Sequence, residues 1–355
     1  MNAPEMRIAI AGCGRIAFLL EQDPLRYKPC THLGALRHYV RQDKRLVPVA
    51  FCDTDLTRAE AAAEFMVHGR TGVLRATDGG SKTMVHGKMP TVITRSFSRL
   101  LNTQPDLLII AASTDAHFSM LSAALKAQIP RIILEKPVAF SASEAKRLRQ
   151  LVRKTRSVIL PNYERRYHPK YIRLKQQISL EDSPPVYRGF FAAGGKSLYA
   201  TKDGHEGVLL HDTTHLLDLA QYLFGPVKKH AIVAEPRSHV LHLQHVGGAT
   251  GLIETSLGIG VFHLELEIRI SDRRITVGNG FQTTERITAS KHYRSLKSYG
   301  TPRRDADAKF SLRKNPFIQL YREALYGKPD NAHFLEALDN VILLDGQRLA
   351  LPIRR

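Results

Sequence analysis

Residues 6–17 read Met6-Arg7-Ile8-Ala9-Ile10-Ala11-Gly12-Cys13-Gly14-Arg15-Ile16-Ala17. A short apolar run ends in a G-x-G-x-x-A arrangement, the pattern in which a strand hands over to a helix. Gly12 permits the tight turn, Gly14 lets the backbone approach phosphate groups, and Ala17 lets the helix pack closely on the sheet. The helix N-terminus then faces an anion. The stretch therefore predicts strand, turn and helix around a dinucleotide pyrophosphate, with Gly12, Gly14, Arg15 and Ile16 at the phosphates.

Working outward, the first half alternates strand and helix patterns. Apolar runs at Leu46–Cys52, Leu107–Ala112, Arg131–Leu134 and Ser157–Leu160 read as further strands. Thr57–Phe65 reads as helix, Ser113-Thr114-Asp115 as helix N-caps, and Ser141 with Glu144 as a capping box. Such alternation implies a parallel sheet with helices on both faces. Two segments read as insertions: Phe18–Cys30, and a Gly-rich loop at about Met66–Thr91. After about Asn162 the segments Val186–Ala193, His230–Ala234, Val240–Val246, Gly251–Ser256, Val261–Ile270 and Arg274–Val277 alternate apolar and polar residues. That is an antiparallel sheet with one wet face. A helix at about Val208–Phe224 interrupts it and ends at Gly225-Pro226. The expected fold is α/β: a doubly wound parallel sheet in a first domain (1–162), then an α/β domain with a large, mainly antiparallel open sheet (163–355). Two late helices, about 317–344, are expected to pack back on the first domain.

The chain has 355 residues, 43% of them hydrophobic, which supports ordinary buried cores. No run reaches membrane-spanning length. Three cysteines, Cys13, Cys30 and Cys52, suggest reduced thiols and, with strand one starting so near Met1, a cytoplasmic chain without a signal peptide. The formal charge of +19 points to an anionic partner. Its basic residues are spread along the chain without a nucleic-acid motif, so an anionic small molecule is favoured over nucleic acid.

Asp53 closes the second strand, where a carboxylate can accept both ribose hydroxyls; this favours NAD over NADP. Arg58 nearby offers the alternative contact, to a 2′-phosphate. Glu135-Lys136-Pro137 closes the fourth strand, at the edge that faces ligands in open α/β sheets. Lys136 there can donate to a reacting oxygen, and the proline is a candidate cis residue. His211, Asp212 and His215 share one face of the later helix, and an imidazole beside a carboxylate suits acid–base work near neutral pH. Two histidines four apart also match a metal pair, but no third ligand is evident, so no metal is expected. Asn162-Tyr163-Glu164-Arg165-Arg166-Tyr167 follows the fifth strand; an Arg pair beside aromatics can bind hydroxyls, carboxylate or phosphate.

In this order, GCGRIA, FCDTD, STDAHF, EKP, NYERRYHP and HDTTHLLDLAQYLFG resemble the glucose–fructose oxidoreductase / inositol dehydrogenase / rhizopine catabolism (Gfo/Idh/MocA) family. The resemblance covers most of the chain. It implies a Rossmann domain followed by a domain whose open sheet mediates homodimers or homotetramers. It also implies NAD(P)-dependent hydride transfer at a hydroxyl or carbonyl of a sugar, cyclitol or related polyol. Lys136 would touch the substrate hydroxyl and nicotinamide ribose, and His215 would transfer the proton. Tyr163, Arg165 and Arg166 would lie near substrate; Ser113, Thr114 and His117 would line the cofactor crevice beside Glu135. One position departs: the family's Asp four residues before the histidine is His211 here, and the carboxylate is Asp212. Either residue can stand in for that Asp, or the chemistry has changed. A non-catalytic dinucleotide-binding sensor or regulator of the same fold is the alternative; the retained Lys136 and His215 favour an enzyme.

Overall fold

The computed structural model describes residues 4–67, 73–77, 81–86, 89–193, 210–235, 238–257, 260–304 and 312–345. The chain divides into two compact units: residues 1–167 with 312–339, and residues 168–311 with 340–355.

The first unit runs β1 (Met6–Ala11), α1 (His32–Gln42), β2 (Leu46–Cys52), α2 (Leu56–Val67), β3 (Val73–Thr77), β4 (Ser81–His86), β5 (Met89–Thr94) and α3 (Phe97–Leu101). It continues through β6 (Leu107–Ile110), α4 (Thr114–Lys126), β7 (Arg131–Leu134), α5 (Ala142–Val152) and β8 (Val158–Pro161). Its sheet has the order β3-β4-β5-β2-β1-β6-β7-β8. From β5 to β8 every pairing is parallel. This is the doubly wound order 3-2-1-4-5-6, which reverses direction between β1 and β6. Strands buried on both faces need continuous apolar runs, and Leu107–Ile110 is fully buried.

Both insertions take definite form. The Gly-rich loop expected at about Met66–Thr91 is not a loop in its described parts. β3 and β4 pair antiparallel with each other, and β4 with β5, so they extend the sheet beyond its parallel edge. Met84 is buried in the core, the Ser81 and Thr94 hydroxyls lie 3.0 Å apart, and Lys82 pairs with Glu60 at 2.7 Å. These contacts explain why the strands form despite nearby glycines. Gly69, Gly72, Asp78-Gly79-Gly80 and Gly87 lie outside the described residues.

The other insertion is spliced into a helix. A turn starts at Gly14, with Phe18 N–H on Gly14 O and Leu20 N–H on Arg15 O, and the chain then leaves the helix. It returns at Thr31, whose hydroxyl caps α1 by accepting from Gly34 N–H. His32 N–H donates to Ile16 O (3.1 Å) and Leu33 N–H to Ala17 O (2.8 Å). The returning residues thus take the partners that an uninterrupted helix would give to residues 20 and 21.

The second unit contains α6 (Pro169–Ser179), β9 (Val186–Ala193), α7 (Thr213–Phe224), β10 (Val227–Glu235), β11 (Ser238–His245), β12 (Thr250–Leu257), β13 (His263–Ile270), β14 (Arg273–Gly278) and β15 (Phe281–Ala289). Its main sheet order is β10-β11-β12-β9-β13-β14-β15, antiparallel throughout except for the β9–β12 pair. Alternation is clean: Leu264, Leu266, Ile268 and Ile270 point into the core while Arg269 is exposed. Leu216, Leu217 and Ala220 of α7 and Leu174 of α6 join that core. Of the helix expected over Val208–Phe224, Leu210 and His211 are helical, Asp212 is a turn residue and Thr213–Phe224 is regular α-helix; Val208 lies outside the described residues. Asp212 spends its side chain on His211 and makes no capping bond.

Two final helices, α8 (Pro316–Tyr326) and α9 (Ala332–Asp345), follow, and residues 312–339 belong to the first unit. There α8 packs on α1, with Tyr39 donating to Ile318 O at 2.8 Å. Among the described residues no helix is long and apolar enough to cross a membrane.

Candidate active site

In the first unit the site is built where the strand order reverses. Gly12, at the end of β1, has φ +88°, and a Cβ there would stand 2.5 Å from the backbone of Ala111 and Ala112. Only glycine lets β1 pass the loop after β6 at that distance. Gly12 N–H donates to Cys52 O at 2.8 Å, tying the turn to β2. Gly14 differs: a Cβ there meets nothing within 4 Å, so no protein atom demands glycine. A pyrophosphate on the backbone would demand it. Amides at the start of the turn, those of Arg15 and Ile16, are the donors a helical first turn leaves for an anion.

Asp53 closes β2 and is buried. One carboxylate oxygen accepts from Cys13 N–H at 2.7 Å and the other from Asp55 N–H at 2.9 Å. It therefore fixes the glycine turn. Arg58 is exposed and pairs with Asp55 at 3.4 Å. Burial, then the nearby Asp53, pushes the Cys52 thiol up to about 12, and the same two causes raise Cys13. All three cysteines are free thiols.

Ser113 is the exposed N-cap residue of α4, without a side-chain capping bond, and Thr114 is buried behind it. His117 is buried, with Nδ1 2.8 Å from Pro137 O and Nε2 3.1 Å from Ala112 O. It braces the loop after β6 against the loop after β7. The Lys136–Pro137 peptide is cis.

Beneath Lys136 lies a polar network that the sequence pattern does not reveal. Glu135 is buried and accepts from His32 Nε2 at 2.8 Å and from the Asn162 amide. His32 Nδ1 lies 3.1 Å from the Tyr321 hydroxyl. A consistent donor chain runs from Tyr321 O–H to His32 Nδ1, and from His32 Nε2–H to the carboxylate. Burial by itself would raise the Glu135 pKa, but the His32 hydrogen bond, the Asn162 bond and neighbouring Lys136 outweigh it, so the carboxyl titrates below its ordinary value. Tyr321 is pushed well up by burial and by Glu135. A fixed negative charge thus sits one residue before a half-buried lysine.

The three residues expected near substrate are placed unevenly. Tyr163 is buried, its ring 6.0 Å from His333. Arg166 is buried and pairs with Glu336 at 2.5 Å. Arg165 lies 3.8 Å from Glu164.

In the second unit, α7 is buried almost all round, Thr213 bonding Thr255 of β12 at 2.8 Å. Of the three polar residues at its start, the structure joins His211 and Asp212, Nδ1 to Oδ1 at 2.8 Å. The second Asp212 oxygen is buried without a hydrogen-bond partner among the described residues. Asp212 therefore orients His211 rather than His215. An Nδ1–H held by a carboxylate leaves Nε2 as the basic nitrogen. His215 is half-buried, its ring 5.7 Å from Phe191, and its backbone N–H bonds Asp212 O. Among the described residues no group of His, Cys, Asp and Glu could hold a metal ion.

Comparison with known proteins agrees with this fold. Residues 6–163 match a family model described as an oxidoreductase family with an NAD-binding Rossmann fold. An NAD-binding oxidoreductase from Klebsiella pneumoniae superposes with a TM-score of 0.70 at 17% identity, over 99% of this chain and 98% of that one. Levoglucosan dehydrogenase, solved with NADH, gives 0.68 at 14% identity, over 97% and 96%. UDP-N-acetylglucosamine 3-dehydrogenase from Acidithiobacillus ferrooxidans gives 0.64 at 18% identity, over 97% and 98%. At these identities the likeness establishes a shared fold. Residues 6–163 thus match the model of the glucose–fructose oxidoreductase / inositol dehydrogenase / rhizopine catabolism oxidoreductases, and that part of the chain has the NAD-binding Rossmann fold the model describes.

Proposed function

We propose that the protein is a dehydrogenase or reductase acting on a CH–OH group or carbonyl of a sugar, cyclitol or anionic sugar derivative. The observation that carries this reading is Lys136, placed at the carboxyl end of β7 beside a buried, ionised Glu135 and next to the loop that His117 braces. A cation at that edge can stabilise charge on a substrate oxygen as it becomes alkoxide-like. Nicotinamide, when bound, supplies or accepts the hydride. His215 takes the hydroxyl proton, as the family resemblance implies. His211, held in one tautomer by Asp212, stands where relatives keep a carboxylate and serves as the second proton-handling group. Gly12, Gly14, Arg15, Ile16 and Asp53 hold the dinucleotide, with Ser113 and Thr114 beside it. Asp53 favours NAD, because a 2′-phosphate would meet its charge. The formal charge of +19 supports an anionic substrate, and the named activities of levoglucosan dehydrogenase and UDP-N-acetylglucosamine 3-dehydrogenase support a carbohydrate. The three free thiols support a cytoplasmic setting.

The test is NADH formation across a panel of polyols, sugars, uronates and sugar phosphates. Turnover of at least one class is expected, and Lys136→Ala should lower kcat by about a hundredfold or more while NADH still binds. Unchanged turnover in that variant would remove Lys136 from the chemistry. NADH binding without turnover of any substrate would return the chain to the sensor reading.

A further inference from the structure

The spliced loop does more than interrupt a helix. It folds beside α1 and borders an open cleft of about 450 Å³, within the size range of small-molecule sites. Arg37 and Arg41, one turn apart on α1, line it with Lys28 of the loop. Neither arginine pairs with a carboxylate among the described residues; Arg37 lies 4.8 Å over the ring of Phe65, which fixes its guanidinium. The one lining carboxylate, Glu21, has an oxygen already engaged by Cys30 N–H at 3.0 Å and the Thr31 hydroxyl at 2.7 Å. It crosses α1 at Gly34, where a Cβ would stand 2.3 Å from that same oxygen. Glu21 therefore serves as a strut for the loop. His38 also lines the cleft; burial and then the charge of Arg322 lower its pKa, so it adds a neutral imidazole and no further charge. Burial first, and then the like charge of Arg41, lower the Arg37 pKa, with the charge of Glu21 opposing them. An anion relieves the repulsion between the two arginines.

We infer that this cleft, built by the inserted loop, is a second ligand site that binds a phosphate-bearing small anion through Arg37, Arg41 and Lys28. Guanidinium forks match phosphate oxygens bidentately, and two adjacent arginines suit a group with two or more charges. None of the three belongs to the dinucleotide turn.

The probe is inorganic pyrophosphate, titrated by calorimetry into the full chain saturated with NADH, so that the dinucleotide site is filled. One bound anion is expected, with affinity falling as salt rises. Arg37→Gln and Arg41→Gln should each weaken it about tenfold or more, with NADH affinity unchanged as the check on folding. No heat at millimolar pyrophosphate, or equal affinity in the double variant, would overturn the assignment.

Discussion

Glu135 is held ionised by two neighbours from distant parts of the chain, so its charge is only as secure as they are. Replacing His32 by Leu leaves a buried carboxylate with one donor fewer and should cost about 3 kcal/mol, measured by denaturant unfolding. Tyr321→Phe should cost only about 1 kcal/mol, because His32 keeps its bond to Glu135. The pH sign follows from the lowered Glu135 pKa: its stabilisation is fully present above the ordinary value of 4.5 and lost as pH falls through the lower folded value. Acid melts of Asn162→Leu, which removes another donor and so raises the folded pKa, should show that loss complete at higher pH than in the wild type. None of these partners is visible in sequence. Lys136 announces itself through Glu-Lys-Pro, a local string, whereas Tyr321 reaches His32 across 289 positions. Asp212 shows the same limit at short range: spacing puts it on the face of both histidines, and only coordinates show it bonded to His211.

At the scale of the element, the fingerprint was legible because each of its demands is local. Gly12 is required by a positive φ and a 2.5 Å approach, and Gly12→Ala should lose about 2 kcal/mol or more of stability together with NADH affinity, read by melting and fluorescence titration. Strands at Leu46–Cys52 and Arg131–Leu134 were legible as buried apolar runs. By contrast β5 was not, because Met89–Thr94 carries Pro90 and Thr and follows glycines that read as loop. α6 was hidden in a charged stretch, since Pro169 at its first turn reads equally as a break. The turn that begins at Gly14 and is completed by α1 was legible only as an insertion, and its repair is a matter of hydrogen bonds. Deleting residues 20–31 places His32 four positions after Ile16, preserving the bond it already makes. That variant should fold and bind NADH, as judged by circular dichroism and fluorescence, while losing pyrophosphate binding.

Across the whole molecule, the sheet of the second unit leaves Val186, Val233 and Leu252 exposed on its outward side. We expect a homodimer or homotetramer formed through this side, and Leu252→Asp should shift sedimentation toward the monomer. The same unit buries His239 and His245, and burial lowers both pKa values below 6.5. His245 donates to Gly225 O and accepts from Tyr187, an arrangement for the neutral ring. Unfolded chains take up protons first, so stability should hold above about pH 6.5 and decline as pH falls toward the folded values. His245→Gln should flatten part of that slope in thermal melts. The spliced helix has a last consequence. A detour that leaves one helical turn and rejoins the next without changing its hydrogen bonds is an exchangeable cassette. Its length and chemistry can drift while the dinucleotide turn keeps its geometry. Leu25, at 94% exposure near its tip, is then a position where a fluorophore reports on the cleft and leaves the hydride chemistry untouched.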